Sequence, residues 1–161
     1  MKLTITAALA LLTALAALVV AAPASATTTQ VSGTQTLVDP VAGTYLMAGD
    51  LVGDWYTDSL ELHFVPGGVG IAWPVTGTEH FIGCLDTSGD GTCAQEELGR
   101  LDFEFTFTAS ASGNGRCQHQ IVPGPDLSAT DPFAAATGVL TFKDRPTTTG
   151  VETTYEGHIK L

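Results

Sequence analysis

The chain runs 161 residues and carries six Lys+Arg against 17 Asp+Glu, a formal net charge of −11. An acidic surface repels phosphates and offers no basic patch from which counterions can be released, so the balance excludes a nucleic-acid binder. Charged residues make up only 14% of the chain while Gly and Thr are plentiful, which argues against a coiled coil, a helix bundle or charge-rich disorder and for an all-β domain.

At the start of the chain, Lys2 supplies a short positive segment, Leu3 to Ala22 is apolar with only Thr interruptions, and Ala24-Ser25-Ala26 has the small-x-small pattern read by signal peptidase. Residues 1–26 are therefore expected to be a cleaved export signal, leaving about 135 residues for one domain with a real core. Nothing beyond Ala26 is long and apolar enough to span a bilayer. The mature protein is thus expected to be secreted and free of a membrane, in a compartment where disulfides persist. Residues 27–40, polar and Thr-rich without a hydrophobic period, read as a flexible leader, with the folded domain over 41–161.

From Val41 onward, short apolar or alternating runs are cut by Gly and Pro. Eight strands are predicted: Gly43 to Leu51, Ser59 to Val65, Val69 to Trp73, Glu79 to Cys84, Arg100 to Ala109, Arg116 to Val122, Gly138 to Lys143 and Val151 to Leu161. The clearest pattern sets Leu101, Phe103, Phe105 and Phe107 against Asp102, Glu104, Thr106 and Thr108, a period of two that sends four apolar side chains to one face. That face belongs in the core, with Leu140 and Phe142, and Asp102 and Glu104 belong to a solvated outer face. Asn114-Gly115 tolerates the positive φ of a tight turn, so this strand and the one bearing Cys117, His119 and Ile121 should form a hairpin. Eight short strands with almost no helical periodicity favour an eight-stranded antiparallel β-barrel, because closure removes the sheet edges.

Read together, several segments resemble small secreted bacterial members of the allene oxide cyclase-like and dirigent-like β-barrel group. They are Gly43-Thr44-Tyr45, Gly77 to Cys84, Cys117-Gln118-His119, Phe133 to Phe142 and Tyr155-Glu156-Gly157-His158-Ile159. The most specific piece is Phe133-x-x-Ala136-Thr137-Gly138 before the penultimate strand, where Gly138 permits close backbone packing. Where the group has a short Gly-rich turn before this Phe, the present chain has the longer Pro123 to Pro132. The resemblance implies a calycin-like barrel with an apolar lumen, and a homo-oligomer, since plant members are often trimers. It carries over no catalytic residue.

Asp86, Ser88 and Asp90, with Gly91 at the sixth position, Thr92, and Glu97 at the twelfth, fit a calcium-loop template, in which alternate oxygens converge on a hard cation. The alternative is a polar hairpin loop stapled by Cys84 and Cys93. That pairing is preferred among the three possible because it brackets the loop locally, and it leaves Cys117 free, two residues from His119. A Cys117–His119 nucleophile is disfavoured, since i and i+2 side chains on a strand run parallel.

No nucleophile elbow, zinc-protease motif, phosphate loop or dinucleotide fingerprint is present. His63, His80, His119 and His158 would need barrel closure to gather around zinc. Three functional classes remain. The leading one binds a small apolar molecule in the lumen, with Tyr45, Trp55 and Trp73 as pocket candidates. The second is a structural or interaction module of the extracellular space or cell envelope, its lumen filled by its own side chains. The third is a cyclase- or isomerase-like enzyme with an inward ionisable group, for which Glu79 and His119 are the candidates.

Overall fold

The computed structural model describes residues 26–63, 73–109, 115–124, 127–148 and 150–161. The expected export signal, apart from Ala26, and the Pro66-Gly67-Gly68 and Ser112 to Asn114 turns lie outside them. Eight antiparallel strands, β1 (Thr28–Asp39), β2 (Thr44–Gly49), β3 (Leu51–Leu62), β4 (Trp73–Leu85), β5 (Gly99–Ala109), β6 (Gly115–Val122), β7 (Thr137–Thr147) and β8 (Gly150–Lys160), close a barrel in sequence order. A single 3-10 turn, Gln95–Glu97, is the only helical element among the described residues. No helix among them is long and apolar enough to cross a membrane.

The segment expected as a flexible leader is β1. It pairs with β2 on one side and with β8 on the other, Val31 opposite Gly157 and Gly33 opposite Tyr155, and so closes the barrel. Its Thr residues are β-branched strand formers, and its inward positions have only one large apolar side chain near the middle, Val31, at 3% exposure. Gly33 is inward because the Tyr155 ring occupies the space: a Cβ there would fall 2.6 Å from the phenol oxygen and run into the Ala48 carbonyl. Sparse apolar content thus reflects the narrow space beneath a neighbouring ring. The folded domain accordingly begins at Thr28 rather than residue 41. Of the predicted Val69 to Trp73 strand, only Trp73 is described, and it opens β4.

The Phe stripe of β5 points inward as the period of two requires, with Leu101 and Phe103 at 1% exposure and Phe105 at 3%. The β5–β6 pairing sets Phe107 opposite Cys117 and Phe105 opposite His119, which is the expected hairpin. In β3 the period fails once. The register shifts between Thr57 and Ser59, so that Asp58 is extra. Before the bulge Trp55 and Thr57 face the lumen; after it Leu60 does, opposite Gly77, while Ser59 turns out to bond Thr78 Oγ1 at 2.8 Å.

One end of the barrel is closed. Met47, Leu51, Phe81, Leu101, Leu140 and Ile159 fill it at 0–1% exposure, and the β6–β7 connection lays Phe133 across it, 6.5 Å from the Phe81 ring. Phe133 is held by Asp131, whose Oδ1 accepts from the Phe133 amide (2.7 Å) and whose Oδ2 accepts from the Arg100 amide (3.1 Å). The same connection covers Asp102, which is therefore buried at 8% exposure instead of solvated. Its carboxylate takes Arg100 Nε and the terminal guanidinium nitrogen at 2.6–3.1 Å. Glu104 stays exposed as expected.

Candidate functional site

Trp55, fully buried, fills the middle of the barrel with its ring centroid 4.5 Å from Phe103 and 5.0 Å from Phe142. Above it the described residues leave the lumen unfilled. A cavity of about 420 Å³ lies at the end where β1, β3, β5 and β7 finish, walled chiefly by Leu37, Tyr45, Leu60, Phe105, Phe107 and Phe142. This volume is within the range of small-molecule pockets. The space exists because the inward positions toward this end are modest in size: Gln35, Thr57, Cys117 and Thr153 line it where the closed end carries larger residues.

Three polar side chains converge on Glu79 at the inner end of the cavity. It lies inward on β4, between Thr57 of β3 and Phe103 of β5. Its Oε2 accepts from Trp55 Nε1 at 2.9 Å and from His119 Nε2 at 2.7 Å, and its Oε1 accepts from the Thr57 hydroxyl at 2.8 Å. His119 reaches it from β6, across the inner face of the intervening β5. A carboxylate oxygen this close makes Nε2 the nitrogen that carries hydrogen. The His119 ring is packed edge-on against Trp55 at 5.4 Å and Phe142 at 4.6 Å, with Phe105 at 5.2 Å. Its Nδ1 is the one buried side-chain nitrogen or oxygen without a hydrogen-bond partner among the described residues. Both members of the pair are largely withdrawn from solvent, with side-chain exposures of 6% for His119 and 11% for Glu79.

The electrostatics of the cavity are negative. Burial pushes the Tyr45 phenol above its ordinary value, helped by the charges of Glu79 and Asp144. Burial likewise pushes the Cys117 thiol up to about 12, again with Glu79 and Asp144 contributing. Cys117 Sγ stands 3.8 Å from His119 Nε2, closer than parallel strand side chains suggest. Yet that nitrogen is committed to Glu79 and the thiol is held protonated, so the pair is not an activated nucleophile.

Of the residues singled out from the sequence, Glu79, His119 and Tyr45 meet at this cavity. Trp55 does not line the cavity: it is fully buried in the core, where its size fills the barrel, and it reaches the site only through its bond to Glu79; Trp73 opens β4 with its side chain outside the described residues. The four histidines do not gather: His80 stacks on Tyr56 outside the barrel and bonds Asp58 at 2.8 Å, while His63 and His158 are exposed. Thr57, Asp144 and Phe107 were not singled out as site residues. Period two along the final residues of β7 and β5 could have located Asp144 and Phe107, but Thr57 acquires its role only through its pairing with Glu79.

The acidic loop lies at the opposite, closed end. Cys84 and Cys93 are joined in a disulfide across it, with Cα atoms 5.7 Å apart, and Cys117 is free. Asp86 accepts from the amides of Ser88, Gly89 and Gly91 at 2.7–3.1 Å and from the Ser88 hydroxyl. Asp90 accepts from Thr92, and Glu97 folds back onto the Ala94 amide at 3.0 Å. Those bonds hold both aspartates below the usual carboxylate range, the Gly91 amide first for Asp86 and the Thr92 hydroxyl first for Asp90. The oxygens of the calcium template therefore organise the loop itself, and no group of three or more His, Cys, Asp or Glu among the described residues is placed to hold a metal ion.

Fold and site together define, among the described residues, a small antiparallel β-barrel with one plugged end and, toward the other, a cavity floored by Glu79 and His119. No family model, curated protein or solved structure matches the chain.

Proposed function

We propose that the protein is a secreted carrier or receptor barrel that binds a small, largely apolar molecule in the open half of its lumen. The observation that carries this reading is the cavity of about 420 Å³, with walls largely of Leu, Val and Phe and an inner end on the buried Glu79–His119 pair. Apolar walls supply most of the binding free energy, and a few fixed polar groups orient the ligand. Secretion is supported by the Cys84–Cys93 disulfide and by the apolar run ending at Ala24-Ser25-Ala26. A barrel serving only as a structural module has no need of a hollow half, since Leu or Phe at Thr57 and Thr153 would fill it.

A cyclase- or isomerase-like activity is the second reading. It is favoured by the 2.7 Å contact of a carboxylate and an imidazole at the cavity floor, a pair able to move a proton to or from a bound molecule. The allene oxide cyclase-like resemblance is compatible with both readings and with a trimer.

Native mass spectrometry of protein recovered from the medium, together with titration of the neutral dye Nile red, tests the binding reading. A co-purifying small molecule, or dye binding that is weakened at least tenfold by the cavity-filling Thr153→Trp variant, is expected. Failure of the native protein to take up either, or dye binding indifferent to Thr153→Trp, overturns it.

A further inference from the structure

The charge of the open cavity says which apolar molecules it takes. Its described lining contains two carboxylates, Glu79 and Asp144, one imidazole, His119, and no Lys or Arg. The connections 64–72 and 110–114, which join strands at this end, contain no charged residue in the sequence. Whichever protonation state His119 holds, the lining is net negative. The basic residues of β6 and β7 do not line the cavity: Arg116 and Lys143 lie opposite each other on the outer face, where Lys143 is bonded to Glu156, and Arg145, next to Asp144 in sequence, shares the face of Lys143 and lies opposite Glu152.

The two carboxylates differ in availability. Glu79 already receives Trp55, His119 and Thr57, three of the roughly four acceptor positions of a carboxylate. Asp144 is exposed toward the opening and takes only Thr153 Oγ1, at 2.7 Å on Oδ1, among the described side-chain bonds. A donor-rich, positively charged head group entering the cavity meets open acceptor positions on Asp144 and the field of Glu79, while its apolar body lies against Phe105, Phe107 and Phe142. A carboxylate head group meets like charge with only the neutral donors of Gln35 and Tyr45 and no cation to offset it, and loses its hydration as well. The overall charge of −11 adds a long-range field of the same sign.

We propose that the cavity is selective for cationic amphiphiles, molecules with a small aromatic or aliphatic body and a protonated amine head, and that it rejects the corresponding carboxylates. The inference rests on the binding reading above and names its ligand class; Asp144 is the residue that sets the preference, with Glu79 as the fixed inner charge.

Phenylbutylamine, phenylbutanol and phenylbutyrate share one body and differ in head-group charge at neutral pH. Their dissociation constants, measured by calorimetry and by displacement of Nile red at low salt, form the test. The amine should bind at least tenfold tighter than the carboxylate, with the alcohol between them. Asp144→Asn should shrink that ratio at least threefold, by weakening the amine more than the carboxylate, and molar salt should shrink it likewise. Carboxylate binding equal to or tighter than amine binding, or a ratio indifferent to Asp144→Asn, overturns the charge selectivity while dye and alcohol binding preserve the binding reading. If neither dye, alcohol nor amine binds, both fall together.

Discussion

Replacing Tyr155 by phenylalanine removes one oxygen from the barrel and leaves the ring, so it isolates a single buried polar contact. The Tyr155 hydroxyl accepts from the Leu51 amide at 2.8 Å and lies 3.4 Å from the Leu51 carbonyl, with Leu51 at 0% and Tyr155 at 2% exposure. It ties β8 to the start of β3 across the closed end, over Gly33 and Gly49. Without it the buried Leu51 amide loses this acceptor, a loss of about 1–3 kcal/mol. For a domain of this size each kcal/mol lowers the melting temperature by about 2–8 °C, which urea and thermal unfolding both resolve. The same residue gives a pH signature. Burial raises its phenol from the ordinary 10 to about 12. The folded state therefore favours the neutral phenol, and that contribution is whole below pH 10 and is lost as pH rises toward 12. Tyr155→Phe should lack this alkaline component. A destabilisation under about 0.5 kcal/mol, with the alkaline loss unchanged, would refute the assignment of the hydroxyl to a buried, unreplaced bond.

The disulfide should contribute about 2.5–3 kcal/mol, the chain-entropy value for a loop of about ten residues; reduction, or Cys84→Ser with Cys93→Ser, should lower the urea midpoint accordingly, and peptide mapping should find no bond to Cys117. Phe133→Ala unplugs the closed end and should cost about 3–5 kcal/mol, read by denaturant unfolding; a cost near zero would mean that Phe133 is not the plug. Because the Cys117 thiol is pushed up to about 12, iodoacetamide at pH 8 should leave it unmodified in the folded protein and alkylate it promptly in denaturant. Millimolar calcium should leave the melting temperature unchanged, since the Asp86 and Glu97 oxygens already hold loop amides; a rise would restore the calcium reading of that loop.

The Phe stripe, the β5–β6 hairpin and the local Cys84–Cys93 pairing were legible in the sequence because each depends on residues close along the chain. Strand period, turn chemistry and loop closure are local constraints, and they suffice for an all-β fold with antiparallel neighbours. Glu79 and His119 could be named as inward ionisable groups from parity alone. Their meeting could not, because β5 stands between them and the contact depends on the curvature of a closed sheet. Parity also misleads where a bulge intervenes: Leu60 reaches the cavity only because Asp58 is extra in β3. Asp102 belongs to the outer face that alternation gives it, yet the β6–β7 connection buries it, a cover that strand periodicity does not reveal.

Composition and periodicity by themselves determined an acidic, disulfide-bearing, all-β chain with one aromatic inner face, since these follow from side-chain chemistry and from spacing along single strands. Only the tertiary structure decided that the Thr-rich segment at Thr28–Asp39 is the strand that closes the barrel, that one end is plugged by Phe133, and that the other is hollow over a buried carboxylate and imidazole. Those outcomes depend on which rings lie above which small inward residues, as Tyr155 lies above Gly33. That packing is set between strands far apart in the chain, where pattern along one strand has no reach.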